Sequence, residues 1–335
     1  IARWGGDEFT LLLPEINCRD DATAIAQRIL SALKPGFKLD KHYLHITSSL
    51  GIAVFPDDGK DAETLLKNAD VALYWVKEKG RNNYQHYAFR LNSQARELLS
   101  LENSLHYALA SQEFILYYQP IVEVQTNKIV KLEALLRWQH PDLGVVAPDL
   151  FIPIAEENGL IVDIGAWALK TACAQTKAWQ NMGLSDLIIS VNLSARQFYN
   201  NDLVKTVKQI LRSTELSPHC LELEITETAT MRNTKLARQI LLDLHQMGIS
   251  LSMDDFGTGY SSLSYLKDFP FSTIKIDRSF VQDLSFDSSN FSIINAITTL
   301  GAGLNLQIIA EGVESEQLKN LLKTLHCDYM QGYFF

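Results

Sequence analysis

The chain has 335 residues, 47% of them hydrophobic and 21% charged, with a formal net charge of -9. That length allows one large or two medium domains with substantial cores, and the acidic balance argues against nonspecific binding to a nucleic-acid polymer. No apolar run approaches the roughly 20 residues that span a bilayer, no signal-peptide pattern opens the chain, and Cys18, Cys173, Cys220 and Cys327 lack metal-ligand or disulfide spacing, which points to a reducing cytoplasm.

In chain order, "FTLLLPE" predicts a strand and "RDDATAIAQRILSAL" a helix with Ala24, Ile25, Ile29 and Leu33 on or near one face. "LHITSSLGIAVFP" reads as a second strand region. "DAETLLKNADVALYWVKEKGRNNY" reads as a helix carrying Leu65, Ala69, Ala72, Leu73 and Val76, with Gly80 as its stop. The run "NSQARELLSLENSLHYALASQE" has no proline or glycine and suits a semi-rigid helical connector. The expected organisation is a first unit over 1–88, a connector leading into the next unit over 89–112, and a second unit over 113–335. Ile1 begins inside a strand pattern and "CDYMQGYFF" stops just after an apolar segment, so both ends read as cut.

The second unit alternates strand and helix. Its strand candidates are "FILYYQPIVEV", "KIVKLEALLRW", "LIISVNLS", "CLELEITET", "ISLSMDD", "STIKID", "LQIIAEGVE" and "YMQGYFF". Among the helices, "TKLARQILLDLHQMG" is the clearest, with Leu236, Ile240, Leu244 and Met247 as its stripe and Gly248 as its stop. Eight strands mostly joined by helices predict an α/β fold, a (β/α)8 barrel of the TIM type, preceded by an α+β unit. The first two strands are linked only by "EVQTNK", too short for a parallel crossover, so one strand is expected to run antiparallel.

Strand parity places the polar residues. Glu133 and Arg137 share one face. Asn192 opposes Val191, Glu222 and Glu224 oppose Leu223, Asp254 opposes Met253, Lys275 opposes Ile274, and Glu311 opposes Ala310. With the apolar faces on the outer helices, these groups point into the barrel near the C-terminal strand ends, where such barrels carry their active sites. Taken alone, Asp-Asp before a glycine is ordinary turn chemistry, and a single buried polar residue is usually a hydrogen-bonded core member. Converging carboxylates are different, because one lysine cannot neutralise them. Oxygen ligands without histidine or cysteine clusters select hard divalent cations, with Asp254 inward and Asp255 just past the strand end reaching a second ion. Two such ions suit phosphodiester hydrolysis.

"EALLRW", "NLS", "ELEITET", "DDFGTGYSSL", "KIDRSF", "EGVE" and "QGY" together resemble the motif set of EAL-domain cyclic di-GMP phosphodiesterases, in the family's order. "RWGGDEF" and "ADVALYWVKEKGRNNY" resemble the second half of a GGDEF diguanylate cyclase domain, with the signature at Gly5, Gly6, Asp7, Glu8 and Phe9. The resemblance implies a tandem GGDEF–EAL protein and metal ligands at Glu133, Asn192, Glu224, Asp254, Asp255 and Glu311. It implies that Lys275 and Glu311 act on the attacking water, that Gln119 and Arg137 hold substrate, and that Gln331 lies near that water. Glu227 would anchor the "DDFGTGYSSL" loop, which in the family links dimerisation to metal binding. Lys77 and Arg81 match phosphate-contacting positions, although basic residues near a helix end also suit its dipole.

The expected activity is hydrolysis of cyclic di-GMP to linear pGpG with two Mg²⁺ or Mn²⁺ ions, Ca²⁺ being inhibitory. The alternatives are a catalytically silent receptor for the same dinucleotide and a bifunctional cyclase/phosphodiesterase. Expected partners are cyclic di-GMP, GTP at the first unit, and a second copy through the barrel. The expected location is the cytoplasm, or the cytoplasmic part of a larger membrane-anchored sensor.

Overall fold

The computed structural model describes residues 1–16, 18–39, 42–78, 80–87, 100–258, 263–286 and 288–335. The chain divides into two compact units, Ile1–Asn103 and Ser104–Phe335. Residues 88–99, which include the first part of the expected connector, and Gly259 to Ser262 of the "DDFGTGYSSL" loop lie outside the described residues. Among the described residues, no helix is long and apolar enough to cross a membrane.

In the first unit, strands Ala2–Gly5 and Glu8–Thr10 form an antiparallel hairpin. The helix Arg19–Leu33 buries Ala22 and Ala26, whereas Ala24 is exposed: the inward line runs two residues out of phase with that alanine. The helix Ala62–Glu78 buries Ala72 and Val76. It packs on strand Leu50–Ile52, where a Cβ on Gly51 would fall 1.9 Å from the Ala69 carbonyl oxygen. Within the expected strand region of 44–56, Leu50–Ile52 forms a strand paired in parallel with Tyr84–His86, and Leu44 ends another. Phe37–Leu39 pairs antiparallel with His42–Leu44.

The second unit is the barrel. Its strands are β1 (Phe114–Glu123), β2 (Ile129–His140), β3 (Ile188–Leu193), β4 (Leu221–Thr226), β5 (Ser250–Phe256), β6 (Thr273–Ile276), β7 (Gln307–Ala310) and β8 (Tyr329–Gln331). Each pairs with the next, and β2 pairs with β3 as well as β1, so the sheet closes with no open edge between them. β1 runs antiparallel to both neighbours, β2 and β8, as its short link to β2 requires. A three-residue strand, Gly144–Val146, adds to β2 outside the ring.

The outer face of the ring is apolar. Val191, Leu223, Ile225, Leu251, Met253, Ile274 and Ile276 are buried with residues of the surrounding helices, each such side chain contributing about 1.5–3 kcal/mol by burial. The helix Thr234–Gln246 covers β5 with Ala237, Leu241 and Leu244, capped by the Asn233 side chain on the Leu236 amide. Its buried line therefore starts one residue later than the stripe expected from Leu236, which is 44% exposed on the first turn. Both faces of β4 are buried, so its inward glutamates sit in protein rather than in water.

Candidate active site

Alternation along β2 to β8 brings the inward side chains together around one lysine. Lys275 on β6 is 1% exposed. Its Nζ lies 2.6 Å from Glu224 Oε2, 2.7 Å from Glu311 Oε1, 3.1 Å from Glu133 Oε2 and 3.6 Å from Asp254 Oδ1. Three strands and the segment after β7 thus deliver four carboxylates to one ammonium. Asn192 Nδ2 donates to Glu133 Oε1 at 2.6 Å. Gln331 Nε2 donates to Glu133 Oε2 at 2.6 Å and to Gln119 Oε1 at 2.9 Å, which ties β8, β1 and β2 together. Gly332 makes this closure possible: a Cβ there would sit 2.1 Å from the Val313 carbonyl oxygen.

Asp255 departs from the expected placement. It lies inside β5 rather than past its end, at φ 55, where the pairing with β6 slips between Met253 and Phe256. The extra residue makes a bulge, and the left-handed turn interrupts the alternation that would otherwise send neighbouring side chains to opposite faces. Its amide bonds to Asp254 Oδ1 at 3.0 Å. Gly257, at φ 96, completes the turn, and its amide donates to Glu227 Oε2 at 3.3 Å. Glu227 is 2% exposed, and that bond fastens the start of the loop to the short helix that follows β4.

The charges in this site are unbalanced. Burial first, then the neighbouring Glu133 and Asp254, push Glu224 well above the usual carboxylate range despite Lys275. Burial pushes Glu311 up to about 7, with Lys275 opposing and Asp254 and Glu133 adding to the rise. Asp255 is raised by burial and by Asp254. Glu133 goes the other way: burial would raise it, but Lys275 and the bonds from Gln331, Lys275 and Asn192 hold it low. For Lys275 burial favours the neutral amine, yet the surrounding carboxylates hold its pKa well above normal.

Among the described residues, no three His, Cys, Asp or Glu side chains form a ready metal-holding group, and the lysine ammonium is the cation the carboxylates share. The donor set nevertheless fits hard divalent ions. It is all oxygen, it carries more carboxylates than one ammonium neutralises, and among the described residues Oε1 of both Gln331 and Glu227 is buried without a partner.

Arg137 lies apart from this cluster. Its guanidinium donates to the Leu136 carbonyl and stacks 5.4 Å from the ring centre of Tyr117. Tyr117, half exposed on the same face of β1 as Gln119, was legible only from its odd position in "FILYYQP". Below the carboxylates the barrel holds a second polar layer, of which only Glu222 was read from the sequence as pointing inward. There Lys131 Nζ bonds Glu222 Oε2 at 2.7 Å, and Ser190 Oγ lies between Glu222 and Glu224. A cavity of about 420 Å³ at the opposite barrel mouth is lined by Lys131, Glu222, Ser250, Gln307 and Tyr329 among others.

In the first unit the Gly5–Phe9 signature forms the hairpin turn, with Gly6 at φ 52 and its carbonyl accepting two bonds from Arg3. Asp7 and Glu8 are exposed, and Lys77 Nζ stands 3.9 Å from Glu8. Arg81 has φ 60 just after the helix.

Two family models match the chain. The diguanylate cyclase, GGDEF domain covers residues 1–83 and the EAL domain residues 102–335. The chain is similar to the bifunctional diguanylate cyclase/cyclic di-GMP phosphodiesterase MucR of Pseudomonas aeruginosa, with 44% identity over 99% of this chain and 48% of MucR. It is 39% identical to the cyclic di-GMP phosphodiesterase NbdA of the same organism, over 100% of this chain and 43% of NbdA. It thus spans about half the length of these curated relatives. The solved PaMucR phosphodiesterase, in its c-di-GMP complex, aligns with a TM-score of 0.69 and 46% identity over 70% of this chain and 95% of that one.

Proposed function

Because the chain belongs to the EAL domain family and carries a GGDEF domain ahead of its barrel, we propose that it hydrolyses cyclic di-GMP to linear pGpG. The observation that carries this reading is the convergence of Glu133, Glu224, Asp254 and Glu311 on Lys275 at the C-terminal mouth of the barrel. The relatives named as cyclic di-GMP phosphodiesterases support the substrate.

Glu133, Asn192, Glu224, Asp254, Asp255 and Glu311 are the residues that would hold two Mg²⁺ or Mn²⁺ ions. Bound there, such ions would lower the pKa of water and offset charge developing on the phosphoryl oxygens. The protein's own groups do the rest. Glu311 takes the proton from the attacking water. Lys275 orients the water and places positive charge beside the phosphorus. The water oxygen bonds to phosphorus, the P–O3′ bond breaks in line, and the released ribose oxygen takes up a proton. Gln119 and Gln331 position the water and the phosphate, and Arg137 with Tyr117 lies at the rim where a substrate group would rest.

The first unit is read as a regulatory or catalytic partner that binds GTP in the longer protein. Dimerisation through the barrel would act on the site by way of the Glu227–Gly257 bond. The cytoplasm is the compartment that supplies both nucleotides. The test is incubation of the purified chain with cyclic di-GMP in Mg²⁺, Mn²⁺ or Ca²⁺, with products separated by chromatography. The expected result is pGpG in the first two and binding without turnover in Ca²⁺. Binding with no hydrolysis in any of the three would make the protein a silent receptor.

A further inference from the structure

We infer that Ser190 is a positioning residue for Glu224, and that the Lys131–Glu222 pair beneath it directs the serine proton toward that carboxylate. The inference rests on the phosphodiesterase reading of the site and assigns a role one layer below it.

Glu224 is 1% exposed, and each of its oxygens is held by one donor. Lys275 Nζ takes Oε2 at 2.6 Å from above, and Ser190 Oγ takes Oε1 at 2.5 Å from below. The carboxylate is therefore held at both oxygens, one by an ammonium and the other by a hydroxyl. Ser190 is 0% exposed and reaches this position by register: it pairs with Glu222 across β4 and with Glu133 across β2, one inward step below Asn192.

A serine hydroxyl has one proton to give. Two carboxylate oxygens compete for it, Glu224 Oε1 at 2.5 Å and Glu222 Oε1 at 3.3 Å. Glu222 is already compensated: its Oε2 receives Lys131 Nζ at 2.7 Å and Thr273 Oγ1 at 3.1 Å. The proton goes up to Glu224, where it makes a short charge-assisted bond. Without Lys131, Glu222 would be a further uncompensated carboxylate under the site and would draw the hydroxyl away. Groups that hold a ligand side chain in this manner govern metal affinity although they touch neither metal nor substrate, typically by 10–100-fold.

The test measures binding of Mn²⁺ alone to the full chain by titration calorimetry, and separately the Mg²⁺ dependence of hydrolysis and the KM for cyclic di-GMP. Ser190→Ala should weaken Mn²⁺ binding by roughly 10–100-fold and raise the Mg²⁺ concentration for half-maximal rate in proportion, with KM unchanged at saturating metal. Ser190→Cys keeps the side-chain volume with a weak donor and should fall between alanine and wild type. A purely structural serine would lower the unfolding midpoint and leave both metal readings alone. Either variant folded and binding Mn²⁺ as wild type does would overturn the inference, as would failure of both to fold. If the wild-type chain itself neither binds Mn²⁺ nor hydrolyses the dinucleotide, the phosphodiesterase reading falls and this inference with it.

Discussion

Replacing Lys275 with methionine tests the electrostatic core of the site. The ammonium contacts three carboxylate oxygens within 3.1 Å, all on residues buried with it or near it. At an effective dielectric near 20, each such pair is worth about 5 kcal/mol of direct attraction. Glu224 and Glu311 already have raised pKa values and would recover part of this by taking up protons. The net loss expected for the metal-stripped protein is then about 3–5 kcal/mol at pH 8, the usual cost of breaking a buried ion pair, and less at pH 6. Urea unfolding followed by tryptophan fluorescence would read it, with Trp138, Trp167 and Trp179 reporting from the barrel. Added Mn²⁺ should return most of the lost stability, because a divalent cation replaces the missing charge. Turnover should still fall by roughly 10²-fold, while dinucleotide affinity in Ca²⁺ changes little. A metal-stripped variant within about 1 kcal/mol of wild type at pH 8 would refute the electrostatic argument. Parallel loss of rate, metal binding and substrate affinity would leave Lys275 as a counter-ion only.

Asp254→Asn should abolish turnover while metal-free stability holds or rises, since the amide keeps an acceptor for the Asp255 N–H and removes one charge from a crowded site; near-wild-type turnover at saturating Mg²⁺ would contradict the ligand assignment. Glu311 has a folded pKa of about 7 against an ordinary 4.5, so the folded state holds its proton more tightly and stability falls as pH rises between those values. Its side chain is 21% exposed, which moderates the effect to about 2 kcal/mol; comparison of wild type with Glu311→Gln in urea from pH 5 to pH 8 would reveal it, and identical slopes would exclude it. Asp255→Gly should leave metal-free stability unchanged or raise it by up to about 1 kcal/mol, because glycine adopts the left-handed backbone freely, and should end turnover. A thermal scan showing marked destabilisation would mean the bulge depends on the carboxylate.

Much of this site was legible because a barrel strand obeys a period of two. Glu133, Glu224, Lys275 and Glu311 all lie where alternation against Leu132, Leu223, Ile274 and Ala310 puts them. The antiparallel β1 followed from a link too short to cross over. Alternation failed at Asp255, because a bulge is one residue of left-handed backbone and leaves no trace in the hydrophobic pattern. Depth was also hidden. Glu222 and Glu224 have the same parity, and only the closed ring shows that Lys131 pairs in one layer and Lys275 in the other. In the first unit the three-residue strands were too short to establish a period, so the pair Phe37–Leu39 and His42–Leu44 and the strand Tyr84–His86 went unread.

The reversal of β1 decides where a mechanical load reaches the barrel. In an all-parallel ring the first strand starts at the end remote from catalysis. Here Phe114 is paired with Trp138 at the catalytic rim, and Glu123 with Tyr329 at the far end. Residue 113 is fastened at that rim by two bonds, its carbonyl to the Gln139 amide and its carboxylate to the Trp138 indole. A pull on the chain at this point opens the β1–β2 ladder like a zip, rung by rung, rather than shearing it all at once. The rung after Phe114 is Ile115 with Arg137, and Gln119 with Glu133 comes four rungs later. Tension on residue 113 therefore displaces the rim arginine before it disturbs any carboxylate around Lys275.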